Sequence, residues 1–267
     1  MNIYKMWEQT PSLSGEEPVL KYFPAPNKKT DATVVIFPGG GYTHRAKHEG
    51  EGYALYLNEI GMDAFVCEYR VLPYVFPIPL LDARRAVRYV RAHAEAFGIC
   101  PDKIAVMGSS AGGHLAALVS TYKESIPFED IDDIDKVSAR PNATILCYTV
   151  CHYPDGVYIQ ESGSFGNLMG AGKEDAFPSV SPDLLVDDDT PPAFLWHTTE
   201  DGTSIISSYL YAIALRQHRI PHELHAFPFG GHGMGLAAKH PHVSQWPELL
   251  RKWFVEMGWL KSESTQN

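Results

Sequence analysis

With 267 residues, 45% of them hydrophobic and 20% charged, the chain can bury the core of one α/β domain and has too little charge for extended disorder. Its formal net charge of −10, with no local run of lysine or arginine to offset it, opposes a phosphate backbone and removes nucleic acid from the expected partners. The opening MNIYKMWE lacks the basic, apolar and small-residue order of a signal peptide, and no apolar stretch approaches the ~20 residues that cross a bilayer; the expectation is a cytoplasmic protein with no membrane partner.

Short β-rich runs alternate with longer helical patterns along the chain. Thr33–Phe37 (TVVIF) reads as a buried strand that runs into Pro38, Gly39, Gly40, Gly41 and Tyr42. A second strand follows at 64–69. The clearest helix spans 79–97, where Leu80, Ala83, Val87, Val90, Ala94 and Phe97 recur at steps of three and four while Arg84, Arg88 and Arg91 fall elsewhere on the wheel. Pro79 suits its first turn, Asp82 complements the positive end of its dipole, and Gly98 with Pro101 supplies the stop.

The strand at 103–107 (KIAVM) leads through Gly108, Ser109, Ser110, Ala111 and Gly112 into a helix. Residues 122–141, with Glu129, Asp130, Asp132, Asp133 and Asp135, read as a solvated insertion. After a strand at 143–148, the Gly, Ser, Pro and Asp-rich stretch 151–190 reads as a second surface insertion, with a wall or lid over a substrate site as the alternative. A strand at 193–197 precedes Thr198, Thr199, Glu200, Asp201 and Gly202. A helix at 204–218 is expected to bury Ile205, Ile206, Tyr209, Leu210 and Ile213. The strand at 223–227 ends before Pro228, Phe229, Gly230, Gly231, His232 and Gly233. With no repeat and no linker, residues 1–267 form one expected domain: a doubly wound, mainly parallel sheet with helices on both faces.

The chemistry is concentrated in the loops after strands. A nucleophilic serine on a sharp strand-to-helix turn needs very small residues two places away on each side, and Gly108 and Gly112 give Ser110 that setting. Ser109 fails in the same register because Met107 takes the place of the first glycine. Backbone amides that approach a developing oxyanion need neighbours without side chains, which the Gly39–Gly41 run and Ala111 can provide. The remaining members of a triad should follow as acid and then histidine. His232 is favoured over the other eleven histidines by its flanking glycines, and Asp201 over Glu200 by its place next to the Gly202 bend. Cys67, Cys100, Cys147 and Cys151 read as reduced core residues, and the pairs His44 with His48, His222 with His225 and His240 with His242 lack a third ligand at recognisable spacing, so neither metal nor cofactor is expected. His197 is expected to pack or hydrogen-bond near the acid.

With these residues in place, the chain resembles the bacterial acetyl esterase and xylan esterase-like branch of the α/β hydrolases, close to the hormone-sensitive-lipase type. The resemblance runs through FPGGGY (37–42), YRVLP (69–73), the long segment 79–117 around GSSAG, TPPAFLWHTTED (190–201) and GGHGMGL (230–236). It implies the α/β-hydrolase fold without a large cap domain, catalysis by Ser110, Asp201 and His232, and oxyanion donors at Gly40, Gly41 and Ala111. It also implies a small-molecule ester substrate with a short acyl group, such as an acetylated sugar or xylo-oligosaccharide, and leaves a homo-oligomer open. Tyr42, Tyr74 and Phe76 could stack on a pyranose ring, with ordinary packing as the alternative. Three departures stand out: Pro38 where lipase relatives carry histidine, Thr203 and Ser204 in place of a Val-Pro-like pair, and a short segment before Pro18. Another acyl hydrolase on this scaffold, a formamidase or small peptidase, is the first rival, and a non-catalytic ligand-binding homologue the second.

Overall fold

The computed structural model describes residues 1–11, 15–159 and 163–262. In chain order its regular elements are β1 (Asn2–Lys5), β2 (Val19–Phe23), β3 (Thr33–Phe37), α1 (Lys47–Glu59), β4 (Asp63–Glu68), α2 (Ile78–Ala92), α3 (Ala94–Phe97), β5 (Ile104–Ser109), α4 (Ser110–Thr121), β6 (Ala143–Cys147), α5 (Gly163–Met169), β7 (Ala193–Thr198), α6 (Ile206–Gln217), β8 (His222–Phe227) and α7 (Trp246–Glu256). The strands form one eight-stranded sheet in the order β1-β2-β4-β3-β5-β6-β7-β8. The pairs from β4 through β8 are parallel, while β1 and β2 add antiparallel strands at one side. This is the α/β-hydrolase fold.

The central strands are apolar at nearly every position because both faces of the sheet are covered. Alternate residues divide between two cores: Val35 and Phe37 join Leu80, Val87, Leu115 and Leu118 on one face, and Val34 and Ile36 join Tyr53, Leu57, Trp246 and Phe254 on the other. Parallel strands all present their carboxyl ends to the same edge of the sheet, and the loops there collect the residues of interest.

Six strands lie where the residue pattern puts them, to within one or two residues at their ends. Five elements lie outside that pattern: the short edge strand β1, β2 beside it, and the helices α1, α5 and α7. The expected helix at 79–97 divides at His93 into α2 and α3, and Gly98 closes it in the left-handed conformation, φ 61°.

Three expectations need correcting. The buried face of α6 consists of Ser207, Ser208, Tyr211, Ala212 and Leu215, while Tyr209 and Ile213 are exposed; the helix is rolled so that small hydroxyl side chains meet the neighbouring chain. Ser207 Oγ, for instance, receives the amides of Cys151 and His152. Asp82 does not serve the helix dipole but makes a two-oxygen ion pair with the wholly buried Arg70. The acidic insertion 122–141 is not a loosely solvated loop: Glu129 binds Arg84 and Arg88, while Asp132 and Asp135 bind Arg85, fastening it along α2. No helix among the described residues is long and apolar enough to cross a membrane.

Candidate active site

β5 ends at Ser109 and α4 begins at Ser110, whose φ of 52° is left-handed and strained for a residue with a side chain. The turn is affordable only because its neighbours lack side chains. A Cβ on Gly108 would strike the Gly112 carbonyl, and one on Gly112 would strike the Phe37 carbonyl. Both glycines are therefore required by space rather than by φ, and they hold the end of β3 against the turn.

The acid and the histidine arrive from the two strands at the far side of the sheet. His232, on the loop after β8, brings Nε2 to 2.8 Å from Ser110 Oγ and Nδ1 to 2.9 and 3.0 Å from the two carboxylate oxygens of Asp201, on the loop after β7. Burial alone would raise the Asp201 carboxyl, but hydrogen bonds from His197 and His232 and from the Thr203 amide more than offset it and hold it at about 2. The acid is ionised at neutral pH. Nδ1 of His232 consequently donates to it and Nε2 faces the serine as an acceptor. Glu200 is engaged elsewhere, accepting the Gly230 amide and bracing the histidine loop. His197 is fully buried, with Nδ1 2.9 Å from Ser208 Oγ and Nε2 3.0 Å from the Thr203 carbonyl.

The glycine loop after β3 lies against the serine turn, since a Cβ on Gly39 would sit 2.7 Å from the Ser109 carbonyl and 3.2 Å from Ser110 Cβ. Gly40 and Gly41 adopt φ of 131° and 61°, which side chains disfavour. Gly39 donates its amide to Glu49; among the described residues the amides of Gly40 and Gly41 have no acceptor, and that of Ala111 stands in the first turn of α4, where no helical acceptor exists. The loop is fixed by its neighbours. Tyr69 donates to the Pro38 carbonyl at 2.6 Å, Asn167 of α5 to the Gly41 carbonyl at 2.8 Å, and the Leu72 amide to the Tyr42 carbonyl at 2.9 Å.

Tyr42 is one of these anchors and cannot stack on a sugar. Its side chain is fully buried and its hydroxyl donates at 2.7 Å to Nδ1 of His114, whose Nε2 in turn donates at 2.8 Å to the Val180 carbonyl. Burial lowers His114 to about 4, so the ring is neutral and can accept from Tyr42. Phe76 meets Tyr122 edge-on at 5.7 Å and donates its amide to the Leu168 carbonyl at 2.6 Å, so its ring packs between the end of α4 and α5. Tyr74 carries the Arg70 guanidinium over its ring and accepts the Glu16 amide, ties that belong to the amino-terminal segment.

The described part of the insertion 151–190, residues 151–159 and 163–190, is not a mere surface loop. Phe165, Leu168, Met169, Phe177 and Val180 are buried in the core, and Asn167 reaches the glycine loop, so the segment forms a side wall of the site. The sequence reading overlooked His114, Glu49, Tyr148 and Asn167, whose roles depend on contacts across distant segments that leave no local signal.

The profile of the BD-FAE family matches residues 21–208. The chain belongs to the BD-FAE family. That match includes Ser110 and Asp201 and ends before His232. Among solved structures, the acetyl ester-xyloside bifunctional hydrolase of Caldicellulosiruptor lactoaceticus superposes with a TM-score of 0.90 at 41% identity, covering 97% of each chain. Endo-1,4-beta-xylanase B of Butyrivibrio fibrisolvens is 37% identical over 215 residues, 78% of this BD-FAE chain and 33% of the xylanase. The acetylxylan esterase of Xylanibacter ruminicola is 29% identical over 240 residues, 85% of this chain and 46% of its own length. The chain thus spans between a third and about half of these two curated relatives.

Proposed function

We propose that this chain is a serine ester hydrolase that removes short acyl groups, acetyl foremost, from xylose-based oligosaccharides. The observation that carries the reading is the continuous link from Asp201 through His232 to Ser110 Oγ, beside glycine amides that have no other acceptor among the described residues. His232 takes the serine proton as Oγ attacks the ester carbonyl, and the amides of Gly40, Gly41 and Ala111 receive the negative charge on the carbonyl oxygen. Collapse breaks the bond to the sugar oxygen, which leaves with the proton from His232. Water, deprotonated by the same ring, then attacks the acyl-serine and releases the carboxylic acid.

The acetylated sugar is supported by the likeness to a xylanase, an acetylxylan esterase and an acetyl ester-xyloside hydrolase. A short acyl group is supported by the side wall, which packs down into the core instead of rising as a helical cap: its longest helix among the described residues is the seven-residue α5. A cytoplasmic enzyme acting on imported oligosaccharides is part of the proposal, and cell fractionation tests it. The chemical test compares p-nitrophenyl esters of increasing acyl length with acetylated xylo-oligosaccharides and an acyl anilide. Release of acetate from the oligosaccharide, lost in Ser110→Ala, is expected; preference for the anilide would move the chain to the amidases.

A further inference from the structure

Glu49 lies on α1, is not one of the groups proposed to react, and is only 3% exposed. A buried carboxylate is unfavourable unless its charge is compensated. Among the described residues no lysine or arginine lies within ion-pair distance of it, and the imidazole of His48, 3.8 Å away, is 2.9 Å from the Gly233 carbonyl through the same Nε2. Two neutral donors hold the charge. The Gly39 amide donates to Oε2 at 2.8 Å and the Tyr148 hydroxyl to Oε1 at 2.7 Å.

Those donors lead to different loops of the site. Tyr148 gives its one proton to Glu49, so its oxygen is left to accept, and it takes the Gly235 amide at 3.0 Å from the histidine loop and the Tyr53 hydroxyl at 3.2 Å. Tyr53, its proton directed to Tyr148, accepts from Ser109 Oγ at 2.7 Å, one residue before the nucleophile. Burial pushes both phenols well above their ordinary range and keeps them neutral. The Tyr148 ring also meets the His232 ring edge-on, with centroids 5.2 Å apart, and its backbone holds a left-handed φ of 36°.

We infer that Glu49 is a positioning residue that sets the glycine loop and the histidine loop against each other, one carboxylate oxygen serving each. The inference rests on the ester-hydrolase reading and adds to it a residue that touches neither substrate nor reacting atoms. A carboxylate suits the task because both its oxygens accept, whereas an amide offers only one acceptor. Transition-state stabilisation depends on amides fixed before the reaction, so a small shift of the Gly39–Gly41 loop relative to His232 should reduce turnover more than substrate binding.

The experiment measures kcat and KM on p-nitrophenyl acetate for the native chain, Glu49→Gln, Tyr148→Phe, the double variant and Ser110→Ala, with active sites titrated by paraoxon and folding followed by near-ultraviolet circular dichroism. Glu49→Gln should lower kcat per titrated site about 10-fold or more, with KM within about two-fold of native. Tyr148→Phe should act in the same direction, and the double variant should lose little beyond the worse single one, the signature of a shared unit. A purely structural role would instead reduce the number of active sites and the melting temperature while each remaining site kept its native kcat; that result overturns the inference. If Glu49→Gln fails to fold, Tyr148→Phe, which removes no charge, decides by the same criterion. Hydrolysis surviving in Ser110→Ala would bring down the ester-hydrolase reading and this inference with it, whereas an inactive Ser110→Ala beside native turnover in Glu49→Gln removes this inference alone.

Discussion

Along α2, Glu129, Asp132 and Asp135 each face a guanidinium, whereas at the carboxyl edge of the sheet Glu49 and Asp201 are held by amides, phenols and imidazoles. The first arrangement neutralises charge with charge and fastens an insertion to a helix. The second holds its carboxyl groups with donors whose directions matter more than their strength. The difference teaches that a buried acid lacking an ionic partner marks the part of this fold where geometry has been favoured over stability. Substitutions in the first region should change how much protein folds, and substitutions in the second how fast each folded molecule works.

The largest expected effect is in the second region. Ser110→Ala should lower kcat for p-nitrophenyl acetate by at least ~10⁴-fold while the melting temperature stays near native, because the hydroxyl is the proposed nucleophile and its removal leaves no cavity of consequence. Asp201→Asn should cost about 10³- to 10⁴-fold in kcat, since an amide no longer enforces the proton on Nδ1 of His232. The same acid has a pH signature. Because its value falls from the ordinary 3.8 to about 2 on folding, its ionised form stabilises the native state above pH 4 by roughly 2 kcal/mol, and that contribution is lost as pH falls from 4 towards 2. Urea titrations of the native chain and Asp201→Asn across that range should show the gap between them closing; a gap independent of pH would contradict the assignment.

In the first region, Arg85→Met should destabilise the fold by about 3 kcal/mol, because Asp135 keeps its burial and loses its close guanidinium, yet kcat per active site should remain native. A fall in turnover would erase the contrast between the regions. The smallest effect concerns α6. Ile213→Ser should change stability by no more than about 0.5 kcal/mol because the side chain is 53% exposed, while Tyr211→Ala on the buried face should cost about 3 kcal/mol by chemical denaturation.

What could be read from the residues follows the same division. Central strands such as TVVIF announce themselves because a parallel strand covered on both faces must be apolar throughout, and the turns after β3 and β5 are marked by glycines, Gly39, Gly40, Gly108 and Gly112, at which a side chain would strike its neighbours. Ser110 and the Gly39–Gly41 run were legible for that reason, and the geometry brings Asp201 and His232 to the same place. β1 was not, because a four-residue edge strand such as NIYK is too short to show an alternation, and β2 (VLKYF), though mostly apolar, precedes β3 with no helix between them and so stands outside the strand-helix alternation. The face of α6 was misjudged because isoleucine and tyrosine look like core until the neighbouring backbone demands small hydroxyl groups instead. Glu49 was invisible on different grounds: in KHEGEGYALYLNE it resembles any charged residue on a solvent-facing helix, and only the approach of segments about 10 and 99 positions away gives it meaning.

The strand order distributes the three groups of the proposed triad unequally. Ser110 follows β5, flanked on both sides by other strands, but His232 hangs from β8, which has a neighbour on one side only. Fraying begins where a sheet has a single partner. Gentle heating should therefore detach the imidazole while the serine turn is still intact, and loss of turnover should precede the cooperative transition seen by bulk spectroscopy. In this molecule residual activity would gauge the integrity of one border, not the survival of the whole.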